Sequence, residues 1–138
     1  MTTRDRLARH VSRVTERTWG EAVQIVPRLA SDYSAASADP DRPATTVRGI
    51  VSVEQKETDM QGSRRGTQMQ GTVNIATETT HVFLRPETVT ALGYAIRKDD
   101  MVVLLDRAEE DRFLVTNVAT LDGLDVLLNL TKTNATPP

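Results

Sequence analysis

The sequence predicts an all-β fold: a small barrel or sandwich of five to six mostly antiparallel strands, with one N-terminal α-helix and a long mid-chain loop. Three observations predict it. Apolar and polar residues alternate over several short segments, turn signals separate these segments, and only the first 19 residues show a helical period. Because 138 residues are typical of one domain, we expect a single domain over residues 1–138.

Residues 1–19 are predicted to form the helix. Thr2 or Thr3 can cap its first turn, and Gly20 is expected to end it in the left-handed conformation that glycine enters freely. A single apolar stripe runs along it, formed by Leu7, Val11, Val14 and Thr18. This stripe is too narrow to stabilise an isolated helix, so we expect the helix to dock on another surface with the help of Trp19.

Two long strands are predicted in the first half of the barrel, over residues 46–55 and 71–84. A change of apolar phase near the end of the second strand predicts a bulge or a crossing between sheets. Residues 21–29 are also β-rich, but Pro27 requires that strand to be an edge or to end there. Residues 30–46 are small, polar and proline-punctuated, which predicts a connection over the surface.

Residues 56–70 are predicted to be a loop between the two long strands. A loop of fifteen residues is far longer than a hairpin needs, and such loops are usually functional or disordered. Its notable residues are glycines, cations and two methionines: Lys56, Met60, Gly62, Arg64, Arg65, Gly66 and Met69.

The last third of the chain reads as a meander that completes a barrel over residues 21–131. Strands are predicted over residues 101–105, 112–120 and 124–131, with a charged turn at 106–111 and a tight Asp-Gly turn at 121–123. Residues 132–138 are expected to fray. The predicted core contains Val51, Val53, Val73, Ile75, Val103, Val115 and Leu128.

Charge is distributed unevenly along the chain. Residues 1–20 hold five arginines and two acids, a net charge of +3, whereas residues 98–125 hold three basic and eight acidic residues, a net charge of −5. These blocks predict head-to-tail pairing between subunits; the alternative is that both simply face water. The expected interface residues are Arg6, Arg9, Arg13, Trp19, Asp106, Glu109 and Glu110.

The sequence contains no pattern of a catalytic, metal or cofactor site. Cysteine is absent, and neither His10 nor His81 has a second ligand at metal-binding spacing. Phosphate-binding glycine loops and the Gly-x-Ser-x-Gly motif are missing as well. We therefore expect no enzyme and no cofactor. No segment resembles a signal peptide or a transmembrane helix, so no membrane association is expected.

The second half of the chain resembles a known family. Lys98-Asp99-Asp100 runs directly into the apolar residues 101–105; a charged turn, Phe113-Leu114-Val115 and the leucine-rich residues 127–130 follow. Over residues 45–131 this order is similar to the head–tail joining proteins of tailed bacteriophages, the head-closure or stopper proteins that include lambda tail-attachment proteins. In that family a Gly-Asp pair commonly opens the apolar strand, and a Tyr-x-Val strand follows. Here Asp99 replaces the glycine and Phe113 the tyrosine.

The resemblance implies a structural role. Such proteins form rings, usually hexamers, between the portal or adaptor and the tail in the virion neck, after assembly in the host cytoplasm. They close the DNA channel, and residues 56–70 match the loop that plugs it, where packaged DNA could touch Arg64 and Arg65. A tail-terminator or tail-completion ring remains open as an alternative. A small nucleic-acid-binding barrel also remains open, although the net charge of −2 and 4% aromatic residues count against it.

Overall fold

The chain folds as a closed β-barrel with one long helix outside it, which confirms the predicted fold class. The computed structural model describes residues 2–31, 33–61, 72–107, 109–121 and 125–138. Six antiparallel strands close the barrel, in the order β1 (Glu21–Val26), β4 (Thr45–Gln61), β5 (Thr72–Leu84), β8 (Asp125–Lys132), β7 (Arg112–Leu121) and β6 (Met101–Leu104). The remaining elements are α1 (Thr3–Trp19), the hairpin of β2 (Arg28–Ser31) and β3 (Ser34–Ala38), and α2 (Pro86–Leu92).

Strand β1 closes the barrel. It pairs with β4 from Glu21 opposite Gly49, and with β6 from Val23 opposite Leu104. The strand ends immediately before Pro27, as predicted, because a proline cannot donate to the ladder. It is nevertheless a central strand of the closed sheet, since both of its neighbours are hydrogen-bonded to it.

The core confirms part of the predicted set. Val103, Val115 and Leu128 are buried, and Val51 is partly buried. Val53 was predicted wrongly, since its side chain is 43% exposed. It lies at the rim of the barrel: its partner on β5 is Thr80, and β8 pairs with β5 only from Thr80 to Leu84. The side chains of Val73 and Ile75 lie outside the described residues. The main cluster consists of Val23, Ile25, Val82, Leu84, Leu92, Ile96, Val102, Leu104, Phe113, Val115, Leu128 and Leu130.

Strand β5 contains no register shift against β4, from Phe83 opposite Ile50 to Thr72 opposite Gln61. The bulge expected there is therefore absent from this pairing. The change of apolar phase has another cause: Thr80, Val82 and Leu84 are buried where β5 joins the barrel. A register shift occurs in β7 instead, between Val115 and Asn117. Of the tight turn predicted at residues 121–123, Leu121 is the last residue of β7, and residues 122 and 123 lie outside the described residues.

Two elements were not predicted from the sequence. Residues 30–46 are not only a surface connection, because β2 and β3 form a hairpin there. Helix α2 follows β5 directly, with Pro86 in its first turn and Gly93 at φ 74°, a conformation that favours glycine. Helix α2 spans only seven residues, too few to show a helical period. Its Leu92 joins the barrel core, so α2 is part of the barrel's packing.

Candidate assembly surfaces

Both ends of helix α1 are capped by residues of the same segment, Thr2 and Asp5 at the N-terminus and Gly20 at the C-terminus. The Thr2 hydroxyl accepts from the Asp5 amide at 3.2 Å, and the Asp5 carboxylate accepts from the Thr2 amide at 2.9 Å, which forms a capping box. Gly20 ends the helix as predicted, but for a different reason, since its φ is −69°. A Cβ on Gly20 would collide with the Glu16 carbonyl oxygen, so the close approach of the backbone requires glycine.

Helix α1 packs on the barrel through polar contacts. Arg85 donates to the Glu16 carboxylate at 2.9 Å, and Arg48 donates to the carbonyl oxygens of Glu16 and Arg17 at 3.3 and 3.4 Å. Burial raises the pKa of Asp125, against the lowering effects of the Arg85 charge and of a hydrogen bond with Ser12. The face of α1 toward the barrel is therefore held by charges and hydrogen bonds, with no buried residue of its own.

The apolar stripe of α1 does not dock on the barrel, contrary to the expectation from the sequence. Leu7, Val11 and Val14 are 62%, 54% and 51% exposed, and Trp19 is 73% exposed. The hydrogen bonds that hold α1 on the barrel come from Arg48, Arg85 and Asp125, and none of them involves the stripe. The stripe thus remains an exposed apolar face beside the helix arginines, the kind of surface that marks interaction sites.

Asp125 of the acidic block contacts Ser12 of α1, but among the described residues no hydrogen bond or ion pair joins the predicted interface residues of the two charge blocks. Arg6, Arg9 and Arg13 are exposed on α1, and Glu109 and Glu110 are exposed in the turn between β6 and β7. Asp106, also predicted as an interface residue, accepts from the amide of Ala22 at 2.7 Å. Asp106 therefore helps to anchor the turn to β1, while the two glutamates remain candidates for an interface.

The predicted loop is partly strand. Residues 56–61 belong to β4, where Lys56 is exposed and pairs with Thr77, and Met60 pairs with Val73. The loop prediction was wrong for these residues because charged and polar side chains on both faces hide the strand alternation. Gly62, Arg64, Arg65, Gly66 and Met69 lie outside the described residues.

Strands β4 and β5 extend beyond the barrel as a two-stranded arm, which we define as residues 54–61 and 72–79. In the described pairing, residues 54–61 pair only with residues 72–79. Strand β1 pairs with β4 no further than Gly49, and β8 pairs with β5 only from Thr80 onward. Eight residues of strand span roughly 26 Å. The outer edges of this arm are therefore open to hydrogen bonding with another chain.

A buried charge cluster that the sequence reading missed holds the β2–β3 hairpin against the barrel. Arg42 bonds Asp39 at 2.7 Å and Asp100 at 2.8 Å, and all three side chains are at most 6% exposed. Asp100 also accepts from the backbone amides of Arg28 and Arg97, at 3.2 and 2.8 Å. The Asp39–Arg42 spacing of three residues was the only sequence signal for this cluster.

The cluster shifts two pKa values. Burial alone would lower the pKa of Arg42, but its hydrogen bonds to Asp39 and Asp100 outweigh burial and raise it. The hydrogen bond from Arg42, with one from the Asp41 amide, lowers the pKa of Asp39. Both groups are therefore held in their charged forms. The complete set of partners identifies this cluster as part of the scaffold.

Within the residues that the structure describes, no group of three or more His, Asp or Glu side chains could hold a metal ion. His81 is instead placed by its neighbours, with Nδ1 2.7 Å from the Asn129 amide oxygen. No described helix has the length and apolar character needed to cross a membrane. The chain matches no protein-family model and no curated protein.

Proposed function

We propose that this chain is a ring-forming head–tail connector of a tailed-bacteriophage neck, which closes the DNA channel after packaging and provides the surface on which the tail docks. The observation that carries this proposal is the two-stranded arm on a closed barrel. The barrel supplies a rigid body, and the arm supplies an element long enough to extend from that body toward a channel.

The arm presents unpaired strand edges, to which strands of other chains can add. A two-stranded ribbon is marginally stable alone in water, and the described part of the arm pairs with no third strand. Unpaired strand edges bind other strands through backbone hydrogen bonds. A ring would bring several arms together, so pairing between copies would stabilise each of them. Arg64 and Arg65, between the two arm strands in sequence, could then contact DNA phosphates.

A second observation supports the resemblance on which the proposal rests. Asp99 stands where the head–tail joining proteins commonly carry glycine, and its φ is 71°, in the left-handed region that favours glycine. The following Asp100 is the buried partner of Arg42. The Asp99-Asp100 pair thus has the backbone geometry that a Gly-Asp pair would suit, at the start of β6.

A shortened arm tests the proposal. The variant lacks residues 57–76 and joins Lys56 to Thr77, which are opposite each other, through an Asn-Gly turn. We expect its barrel to keep the unfolding temperature of the native chain, and particles carrying it to join tails but lose packaged DNA. DNA retention is measured as nuclease-resistant DNA per particle.

A matched control keeps the full chain length and replaces the two arginines that lie between the arm strands in sequence, as Arg64→Gln with Arg65→Gln. We expect this control to leak less than the shortened arm, because the strand edges remain. Full DNA retention with the shortened arm would refute the channel-closing role. Absence of the chain from the head–tail junction of purified particles would refute the neck assignment as a whole.

A further inference from the structure

A cleft lined by arginines lies between α1 and the barrel. It has a volume of about 480 Å³ and is lined by Arg13, Glu16, Arg17, Arg48 and Arg85. Only one of these five side chains is acidic, so the lining carries an excess of three positive charges. We call this site the arginine cleft.

The arginines of the cleft are incompletely paired. Arg85 forms ion pairs with Glu16 at 2.9 Å and with Glu87 at 3.4 Å. Its buried Nε has no hydrogen-bond partner in the described structure. The Arg48 contacts are to backbone carbonyl oxygens, which bring no negative charge. In the described part of the chain, no hydrogen bond or ion pair involves the side chains of Arg13 and Arg17. Crowded guanidinium groups of this kind favour binding of a carboxylate, which they can bind in a bidentate manner.

The turn between β6 and β7 offers two carboxylates. Two other acids of the turn already have partners: the Asp106 carboxylate accepts a hydrogen bond from the Ala22 amide, and Asp111 pairs with Lys132 at 3.4 Å. Glu109 and Glu110 are exposed, and the described residues give neither side chain a partner. The Glu110 backbone is held at φ 43° by a hydrogen bond from its amide to the Arg107 carbonyl oxygen at 3.0 Å. The turn therefore presents two adjacent carboxylates that have no partner among the described residues.

The turn and the arginine cleft lie on different sides of β1. The turn connects β6 and β7 and is tied to β1 through Glu21 and Ala22. The cleft is built from α1, from Arg48 of β4 and from Arg85, which lies between β5 and α2. Because β6 and β4 are the two separate neighbours of β1, a single copy keeps these surfaces apart. Two different complementary patches on one chain produce head-to-tail contacts, which close into rings when the rotation allows it.

We propose that Glu109 and Glu110 of one copy bind in the arginine cleft of the next copy. This inference rests on the proposed ring-forming function and names the contact that builds the ring. The apolar stripe contributes to the same interface, since at about 100° per residue Val14 lies beside Arg17 on the surface of α1. Covering that stripe removes apolar surface from water, a gain that exposed ion pairs alone do not provide.

Charge reversal in two separate variants tests the contact. The first is Glu109→Lys with Glu110→Lys, and the second is Arg13→Glu with Arg17→Glu. We expect each variant alone to self-associate about tenfold or more weakly than the native chain in sedimentation experiments at low salt. An equimolar mixture is expected to recover association, because every contact in an alternating ring then joins opposite charges.

The control is Asp41→Lys, which reverses one exposed charge away from both surfaces, a change of two charge units against four in each double variant, and should leave association unchanged. A native chain that stays monomeric up to about 1 mM, or a mixture that fails to recover, would refute the contact. If the mixture fails and Arg13→Glu with Arg17→Glu abolishes binding of a DNA oligonucleotide, the cleft binds phosphate instead. Particles that carry a normal neck with either charge-reversed variant would refute this contact but leave the proposed neck function standing.

Discussion

The buried charge cluster of Arg42, Asp39 and Asp100 differs from the arginine cleft in how completely the arginine side chains are paired. Arg42 is 6% exposed and donates to two carboxylates and to the carbonyl oxygens of Ala95 and Arg28, at 3.2 and 3.3 Å. In the arginine cleft, Arg13 and Arg17 are exposed and unpaired among the described residues. Saturation of the donors therefore separates an arginine that holds the fold from arginines that remain available to a partner.

The largest expected effect is on the saturated cluster. Arg42→Ala leaves two buried carboxylates without their cation, and breaking a buried ion pair costs about 3–5 kcal/mol. Urea unfolding measures the loss. Because the alanine variant could fail to fold, Arg42→Lys provides a milder comparison that keeps the charge but loses the forked geometry. A change below about 1 kcal/mol in both variants would show that the cluster does not hold the hairpin.

A smaller effect is expected from acid. The pKa of Asp39 is lowered from its usual 3.8, so the folded state holds this carboxylate ionised more strongly than the unfolded chain does. Its contribution to stability is present above the unfolded pKa and disappears as pH falls through the folded pKa. We expect the stability of the native chain to decline from about pH 4 downward, and Asp39→Asn to flatten that decline. Unfolding free energies measured between pH 7 and pH 3 test this, and equal acid slopes would contradict it.

The smallest effect on the free energy of unfolding is expected when arginines of the cleft are replaced. The double variant Arg13→Ala with Arg17→Ala removes no contact that the structure describes, so its free energy of unfolding should change by less than about 0.5 kcal/mol. Thermal unfolding of the isolated chain measures this. A clear loss of stability would mean that these arginines serve the fold, and the contrast between the two clusters would disappear.

The sequence was sufficient for the barrel because alternation in β4 and β8 records which face is buried, and the continuous apolar run of β6 marks a fully buried strand. It was insufficient where burial does not follow alternation. Asp100 looks like part of a solvated charged turn, yet it is fully buried because Arg42, distant in sequence, supplies its charge. Val53 continues an apolar alternation beyond the end of the core. The α1 stripe predicted a docked helix, and sequence periodicity alone does not say whether the partner belongs to the same chain.

The long-range closure by β1 also sets the order in which this protein can fold during synthesis. Val26 pairs with Met101 and Val23 with Leu104, across more than seventy intervening residues. Because synthesis proceeds at roughly 5–20 residues per second, β6, the second neighbour of β1, is synthesised about 4–16 s after β1. Folding rates fall with such sequence separation, so barrel closure is expected to be a late step. The β4–β5 ribbon is complete well before that step, which leaves its strand edges exposed while the barrel is still open.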